Sequence, residues 1–470
     1  MKINTILNKL KIKPAIINHN VAGLFFNSKE CIENSVFFLT DNNKEYLTDA
    51  INNGATTIIT DNDCYTDNLI NYVKVLNVKK AICDFAKIYY KDISSKIKII
   101  GFIGTNGKTT CSTIGYRFFN YIGYPSILIG SNGIYYNNEH ILINNTTPDI
   151  LTIYKHLDIA YKKGIRYAFM EVSSIAISEL RTNGLIFDTL VLTNLKQDHL
   201  DYHKSLDNYY LTKSIPFIKL GNNKYSIINI DDENSKEFIK HIDSNILTYG
   251  IEKNADIKGE ILRIDSNGSL FTVNSFPFSS KLLGEFNIYN CLSIISLLTV
   301  YNLSYLDFAI FIKSMNPIDG RMNKYTYNDM NFIIDYAHTY SAVKESINCV
   351  RKLAKKNLYI ILGCGGNREK EKRYMIGSLL NEINANIILT TDNPRFENPE
   401  DIIDDIKINI NKKVTVCIDR KEAIINTLKQ MKTNDYLLIL GKGNESYMEI
   451  KGVKYPFNDL EIINEYFRLS

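Results

Sequence analysis

The sequence predicts an α/β protein of three domains. A small N-terminal α/β domain is expected over residues 1–92, a central domain with a mostly parallel sheet over 93–320, and a C-terminal Rossmann-like domain over 321–470. Three observations carry this. A chain of 470 residues is too long for one core. Apolar runs of strand length alternate with helical patterns, the pattern of parallel sheets with helices on their faces. The run IIGFIGTNGKTT at 99–110 ends in two spaced glycines, a lysine and two threonines, as a strand does when it enters a turn that opens a helix.

In the first block, VFFLTD (36–41), ATTIITD (55–61) and NYVKVLN (71–77) read as short strands. Nothing there is catalytic by residue type, and Asn27-Ser28-Lys29 reads as a polar turn. The second block opens with the glycine loop, whose helix runs from Lys108 to a glycine stop at Gly123. Strand-like runs follow at 124–130, 166–174, 188–195 and 225–233. The third block begins near Gly320-Arg321-Met322. Its strands are expected at 332–338, 358–364, 386–392, 414–419 and 435–441, with helices between them. It lacks GxGxxG and so gives no reason to invoke NAD.

The glycine loop is a short variant of the phosphate-binding loop, since strict spacing would put a glycine at Phe102. Backbone N–H groups of Gly104, Thr105, Asn106 and Gly107 can face phosphate oxygens, Lys108 can reach the β/γ-phosphates, and the Thr109 hydroxyl can ligate Mg²⁺, with Thr110 completing the motif. Ligands on parallel sheets sit beyond the carboxyl ends of the strands, so the polar residues there matter most. Glu171 follows YAFM and suits Mg²⁺ opposite the loop, or is simply a turn residue. Asp198-His199-Leu-Asp201-Tyr-His203 offers two carboxylates and two imidazoles, which suit a metal or substrate site or a satisfied polar turn. Lys213 on an apparent helix reads by itself as a solvated lysine. In the third block, Asp335 to His338, Gly363 to Arg368, Asp392-Asn393-Pro394-Arg395 and Gly441 to Glu445 are four polar clusters at strand ends, expected to share one cleft.

The net charge of +4 gives no electrostatic argument for nucleic acid or a membrane. Eight scattered cysteines (Cys31, Cys64, Cys83, Cys111, Cys291, Cys349, Cys364 and Cys417) contain no CxxC pair and read as reduced thiols of a cytoplasmic protein. No stretch reaches the length of a membrane span, and a monomer is expected.

Taken together the motifs resemble the Mur ligase family, in the group that adds the third stem-peptide residue to a UDP-muramoyl-dipeptide. GTNGKTT (104–110), NTTPD (145–149), EVSS (171–174), TNLxxDHLDYH (193–203), GxFNxxN (284–290), GRM (320–322), DYAHT (335–339), GCGGxR (363–368), DNPR (392–395) and GKGxE (441–445) occur in the family's order over nearly the whole length. The resemblance implies an N-terminal domain for the UDP end, a central P-loop ATPase and a C-terminal domain that brings the amino acid. It implies that Lys108 and Thr109 serve ATP and a first Mg²⁺, that Glu171 and His199 hold magnesium, and that Lys213 is carried as a carbamate (N6-carboxylysine) beside the metals. Asn287 and Asn290 resemble adenine-side asparagines, and Arg321 and Asp335 would reach the nucleotide from the third domain. Asn145, Thr146, Thr147, Ser173 and Arg181 match positions for the UDP-muramoyl substrate, and Ser28 matches the uracil-side serine. The implied chemistry is acyl activation through an acyl phosphate, then attack by an amine.

For the added residue, Arg395 can fork onto a carboxylate and Glu445 can receive an ammonium, with Asp392, Asn393, Pro394 and Gly441 around them. That combination favours meso-diaminopimelate, with L-lysine as the alternative. A divergent Mur-like ligase or a non-catalytic binding paralogue is the second alternative. The chain departs from the family pattern at Asn27, Lys29, Ile175, Tyr340, Asn367 and Asn444.

Overall fold

The computed structural model describes residues 1–63 and 69–469; Cys64 lies outside them. Three main sheets follow one another along the chain. The first has four parallel strands in sequence order: Leu24–Phe25, Ser35–Leu39, Ala55–Thr60 and Asn71–Lys74. The central sheet has 11 strands. Its middle is parallel, and antiparallel hairpins extend it at both ends, one formed by Gly133–Tyr136 and Glu139–Ile141, the other by Gly268–Val273 and Phe276–Ser280. The third sheet has six strands, parallel except for the antiparallel edge strand Asn323–Tyr327.

The expected strands form because their apolar runs are buried on both faces. In Lys98–Ile103, Ile99 and Ile103 point into one core, which continues through Phe85, Tyr154 and Leu190 to Ile3 in the first block. Ile100 and Phe102 point the other way, into a core built with Ile288 and Phe308. The third sheet repeats this: Leu438 and Leu440 face one core, Leu437 and Ile439 the other. Alternation between two buried faces turns a strand into an unbroken hydrophobic run. The expected strand at 414–419 shortens to Thr415–Val416, both exposed at the sheet's edge, where no second face demands apolar residues.

Strand order positions the site. Lys98–Ile103 lies between Tyr167–Glu171 and Phe187–Leu192, all parallel, with Phe102 beside Glu171 and Ile103 beside Leu192. Three neighbouring strands therefore deliver the glycine loop, Glu171 and the 193–199 segment to one edge. In the third sheet, Met330–Asp335, Tyr436–Leu440, Leu358–Leu362 and Asn386–Leu389 are successive parallel neighbours, so the four polar clusters emerge side by side.

Behind this edge Arg420 and Asp459, both 0% exposed, pair at 2.8 Å, and Arg420 also donates to the carbonyl of Leu440 at 2.9 Å. Replacing Arg420 by Leu leaves the Asp459 carboxylate buried without its counter-ion. A loss of about 3–5 kcal/mol in unfolding free energy is expected by urea denaturation.

Candidate active site

A cleft of about 480 Å³ lies between the central and third sheets. Its central wall carries the loop from Thr105 to Thr110, Ser131, Asn145, Thr146, Glu171, Ser173, Arg181, His199, Asn287 and Asn290. Its opposite wall carries Arg321, Asp335, His338, Asp392, Asn393, Arg395, Gly441 and Glu445. A second cavity of about 520 Å³, lined by Ile177, Leu185 and Pro216 among others, holds none of the expected site residues, although Thr212, Ile215 and Pro216 on its wall belong to the same helix as Lys213.

The loop is built by backbone clips. Thr105 N–H donates to the Asn194 carbonyl at 3.0 Å, and Asn106 N–H to Asn194 Oδ1 at 2.9 Å. Gly107 caps the helix Lys108–Tyr121 at φ +85°, where a Cβ would also stand 2.6 Å from Asn290 Oδ1. Glycine is required there both by conformation and by space. Lys108 Nζ folds over the loop and donates to the carbonyls of Gly104 and Thr105 at 2.9 and 2.8 Å. Its pKa is lowered by burial, against which the Glu171 carboxylate works.

Glu171 is buried and satisfied. Oε1 accepts from Ser131 N–H at 2.7 Å, and Oε2 accepts from the Thr109 and Ser131 hydroxyls at 2.9 and 3.1 Å. Thr147 binds the Glu171 carbonyl with its hydroxyl at 2.8 Å and receives Ser173 N–H at 3.0 Å, so both residues brace this strand end. Arg181 donates to the Thr147 carbonyl. Asn290 donates to Asn287 Oδ1 at 2.8 Å inside the cleft.

His199 has a left-handed backbone (φ +54°) and its Nε2 lies 3.4 Å from Asp198 Oδ2. Burial first, then Lys108 and Lys213, lower its pKa, which keeps the imidazole neutral and its lone pair available. Burial raises the Asp198 carboxyl, but the adjoining His199 and His338 rings with Lys372 and Lys213 outweigh it and leave the pKa below the usual range. Lys213, 1% exposed, sits behind the loop and not on the cleft wall. Its Nζ reaches Tyr209 Oη at 2.5 Å and Thr105 Oγ1 at 3.2 Å. Burial, reinforced by Lys108, drives its pKa well below that of a free lysine.

Among the described residues no group of three or more His, Cys, Asp or Glu converges as a closed metal cage. Thr109 and Glu171 nevertheless offer oxygen donors at the mouth of a phosphate loop. That donor set fits Mg²⁺, which is bound through one or two carboxylates with the balance from phosphate and water.

From the other wall Arg321 crosses the cleft. Its Nη2 donates to Thr109 Oγ1 at 3.2 Å while the guanidinium lies 4.3 Å from the Tyr336 ring centroid. Asp335 accepts from Met322 N–H at 3.2 Å and Tyr336 N–H at 2.9 Å, so its carboxylate fixes the turn that aims Arg321. Asn106 donates to Ser341 and Gln197 to Glu369, closing further contacts between the walls. At the far end Glu445 Oε2 accepts from buried Lys442 Nζ and from Asn393 Nδ2, each at 2.9 Å. Arg395 pairs with Glu449 at 3.2 Å and donates to the Gly366 carbonyl. Ser28 lies on the turn Ser28–Glu30 in the first block and is not among the cleft residues.

Sequence reasoning missed Ser131, Asn194, Tyr336, Lys442 and Glu449. Asn194 and Lys442 stood inside quoted motifs and Tyr336 inside DYAHT; Ser131 and Glu449 carried no local signal.

A strand, glycine loop and helix facing a second sheet edge across one cleft define a phosphate-binding α/β protein with two working walls. Residues 103–298 match the model of the Mur ligase middle domain, and residues 320–443 that of the Mur ligase glutamate ligase domain. A UDP-N-acetylmuramoyl-L-alanyl-D-glutamate–2,6-diaminopimelate ligase of Bacteroides fragilis is 33% identical, with 100% of both chains covered. Its counterpart in Aquifex aeolicus is 35% identical, covering 96% of this chain and 94% of that one. A solved structure of a ligase of that name aligns with a TM-score of 0.71 at 27% identity, covering 100% of this chain and 99% of the other. MurF ligase from Thermotoga maritima, solved with ADP, shares the fold at a TM-score of 0.67 and 17% identity, over 95% and 97% of the two chains. The chain belongs to the Mur ligase family.

Proposed function

We propose that this protein is an ATP-dependent ligase that joins meso-2,6-diaminopimelate to UDP-N-acetylmuramoyl-L-alanyl-D-glutamate in peptidoglycan synthesis, forming ADP and phosphate. The observation that carries the reading is one cleft with Lys108 and its glycine loop at one end and Arg395 with Glu445 at the other. The relatives bearing the name of that reaction support it along their full length.

In this reading residues 1–92 hold the UDP end with Ser28, 93–320 bind ATP, and 321–470 bring the amino acid. The substrate carboxylate attacks the γ-phosphorus of ATP, ADP leaves, and an acyl phosphate forms. The neutral amine then attacks the carbonyl carbon, and phosphate departs from the tetrahedral intermediate. Lys108 supplies positive charge to the transferring group, and Arg321 adds a second cation from the opposite wall. Asn287 and Asn290 face the adenine end; Asn145, Thr146, Ser173 and Arg181 line the muramoyl side, and buried Thr147 supports them from behind. Magnesium, when bound, neutralises charge on the phosphates, and Thr109, Glu171, His199 and a carbamylated Lys213 are the residues that would hold it. Lys213 suits that modification because its amine is buried and disposed to be neutral, and only a neutral amine attacks CO₂. Both walls belong to one chain, which supports a monomer as the working unit. Among the described residues no helix is long and apolar enough to cross a membrane, in keeping with a cytoplasmic ligase.

The test is ADP release with UDP-muramoyl-dipeptide and each candidate amino acid. Diaminopimelate is expected to support turnover and L-lysine to be poor. Arg395→Ala should cut the ratio of their kcat/KM values by about 100-fold, because a charge-assisted carboxylate clamp is lost. An unchanged preference would sink the reading.

A further inference from the structure

We propose that Glu449 is a positioning residue for amino-acid selection, holding the Arg395 guanidinium in place so that one edge is kept for the distal carboxylate of the incoming diamino acid. This rests on the diaminopimelate reading above and adds a residue to it.

Arg395 is constrained at every point except that edge. Its backbone is left-handed (φ +53°) and pinned to the strand Tyr447–Ile450: Arg395 N–H donates to the Glu449 carbonyl at 3.0 Å, and Lys451 N–H donates to the Arg395 carbonyl at 2.7 Å. In the side chain, Nε faces Glu449 Oε2 at 3.2 Å and Nη1 donates to the Gly366 carbonyl at 2.9 Å. A Cβ on Gly365 would stand 2.9 Å from Nη1, so the guanidinium also lies close against the chain there. Nη2 makes no hydrogen bond among the described residues. An exposed ion pair contributes little, but this one is only about a fifth to a quarter exposed and is one of several constraints on a single side chain.

Glu449 is also tied to the other charged residues at this end of the cleft. Asn393 Oδ1 accepts both Glu449 N–H at 2.8 Å and Lys442 Nζ at 3.1 Å, while Asn393 Nδ2 donates to Glu445. Asn393 thus joins two ion pairs, Lys442 with Glu445 and Arg395 with Glu449, into one frame. Each acid in the frame is already matched by a cation. A group that carries both a carboxylate and an ammonium adds to such a frame without leaving a charge unmatched. A side chain ending only in an ammonium leaves the Arg395 edge without an anion.

The test compares Glu449→Ala, Glu449→Gln, Arg395→Ala and the Arg395→Ala/Glu449→Ala double variant in the same ADP-release assay. Glu449→Ala is expected to raise KM for diaminopimelate by about tenfold, with kcat and the KM values for ATP and the UDP substrate within about twofold, as for loss of a binding contact rather than of catalysis. Glu449→Gln keeps an acceptor facing Nε and should recover most of that loss. In the Arg395→Ala background, Glu449→Ala should change nothing further, because coupled residues are non-additive. An unchanged diaminopimelate KM in Glu449→Ala, additive effects in the double variant, or an equal loss towards every substrate would overturn the proposal. If the wild-type enzyme itself prefers L-lysine, the diaminopimelate reading falls and this proposal with it. Wild-type preference for diaminopimelate with an indifferent Glu449→Ala variant overturns this proposal alone.

Discussion

A Lys213→Met enzyme is expected to lose about 10³-fold in kcat, the upper range for removing one preorganised charge from a transition state, while becoming more stable near neutral pH. The two effects have one origin. Lys213 is buried against Tyr209 and Thr105, and burial together with the Lys108 charge depresses its pKa. A lysine whose folded pKa lies below its unfolded value must give up a proton on folding. Between those two values the unfolded chain binds more protons, so the lysine weakens the fold there and the penalty fades as pH rises towards about 10.4. Methionine of similar length carries no such penalty. The stability gain, read by urea denaturation without bicarbonate, should shrink as pH is raised. The loss of kcat should persist, and intact-mass spectra should show the wild-type chain, but not the variant, carrying one added CO₂ under bicarbonate. A purely structural lysine would lose stability and activity together, and that outcome would remove the proposed carbamate.

Residues buried from both sides were the most legible. The strand Leu358–Leu362 is buried at every position, and so is Tyr436–Leu440; each appears in the sequence as an uninterrupted apolar run. The hairpin strands Ile257–Asp265 and Gly268–Val273 were missed because they extend the sheet past its covered centre, where exposed and buried residues mix and no long run survives. The same division holds in the cleft. The glycine loop is local in sequence, so GTNGKTT announces it. Ser131 acts on Glu171 from 40 residues away and Asn194 clips Asn106 from 88 away, so only the folded chain brings them together. Glu445 illustrates the limit of a motif read alone: it was legible as an acceptor for an ammonium, but not that buried Lys442 already sits 2.9 Å from it. An incoming ammonium therefore shares that carboxylate with an internal one.

Lys108→Ala is the second large effect, with kcat expected to fall by about 10²–10³-fold. Lys108 Nζ caps the carbonyls of Gly104 and Thr105, its own loop. Those carbonyls are weak partners for a half-buried ammonium compared with phosphate oxygens, so a triphosphate offers the lysine a stronger partner. Because negative charge on the transferring group has to be matched as the bond to ADP breaks, the loss should fall mainly on kcat, with a smaller rise in the KM for ATP. Lys108→Arg should recover little, because a planar fork does not replace a compact point charge held between two carbonyls less than 3 Å away. Lys108 also acts on Lys213: its charge is second only to burial in holding that amine neutral. Removing Lys108 therefore raises the Lys213 pKa and lowers the fraction able to take up CO₂. The Lys108→Ala/Lys213→Met double variant should accordingly be no worse than about tenfold below the poorer single variant, since each residue works partly through the other. Full multiplication of the two losses would show instead that the lysines act independently on the phosphoryl group.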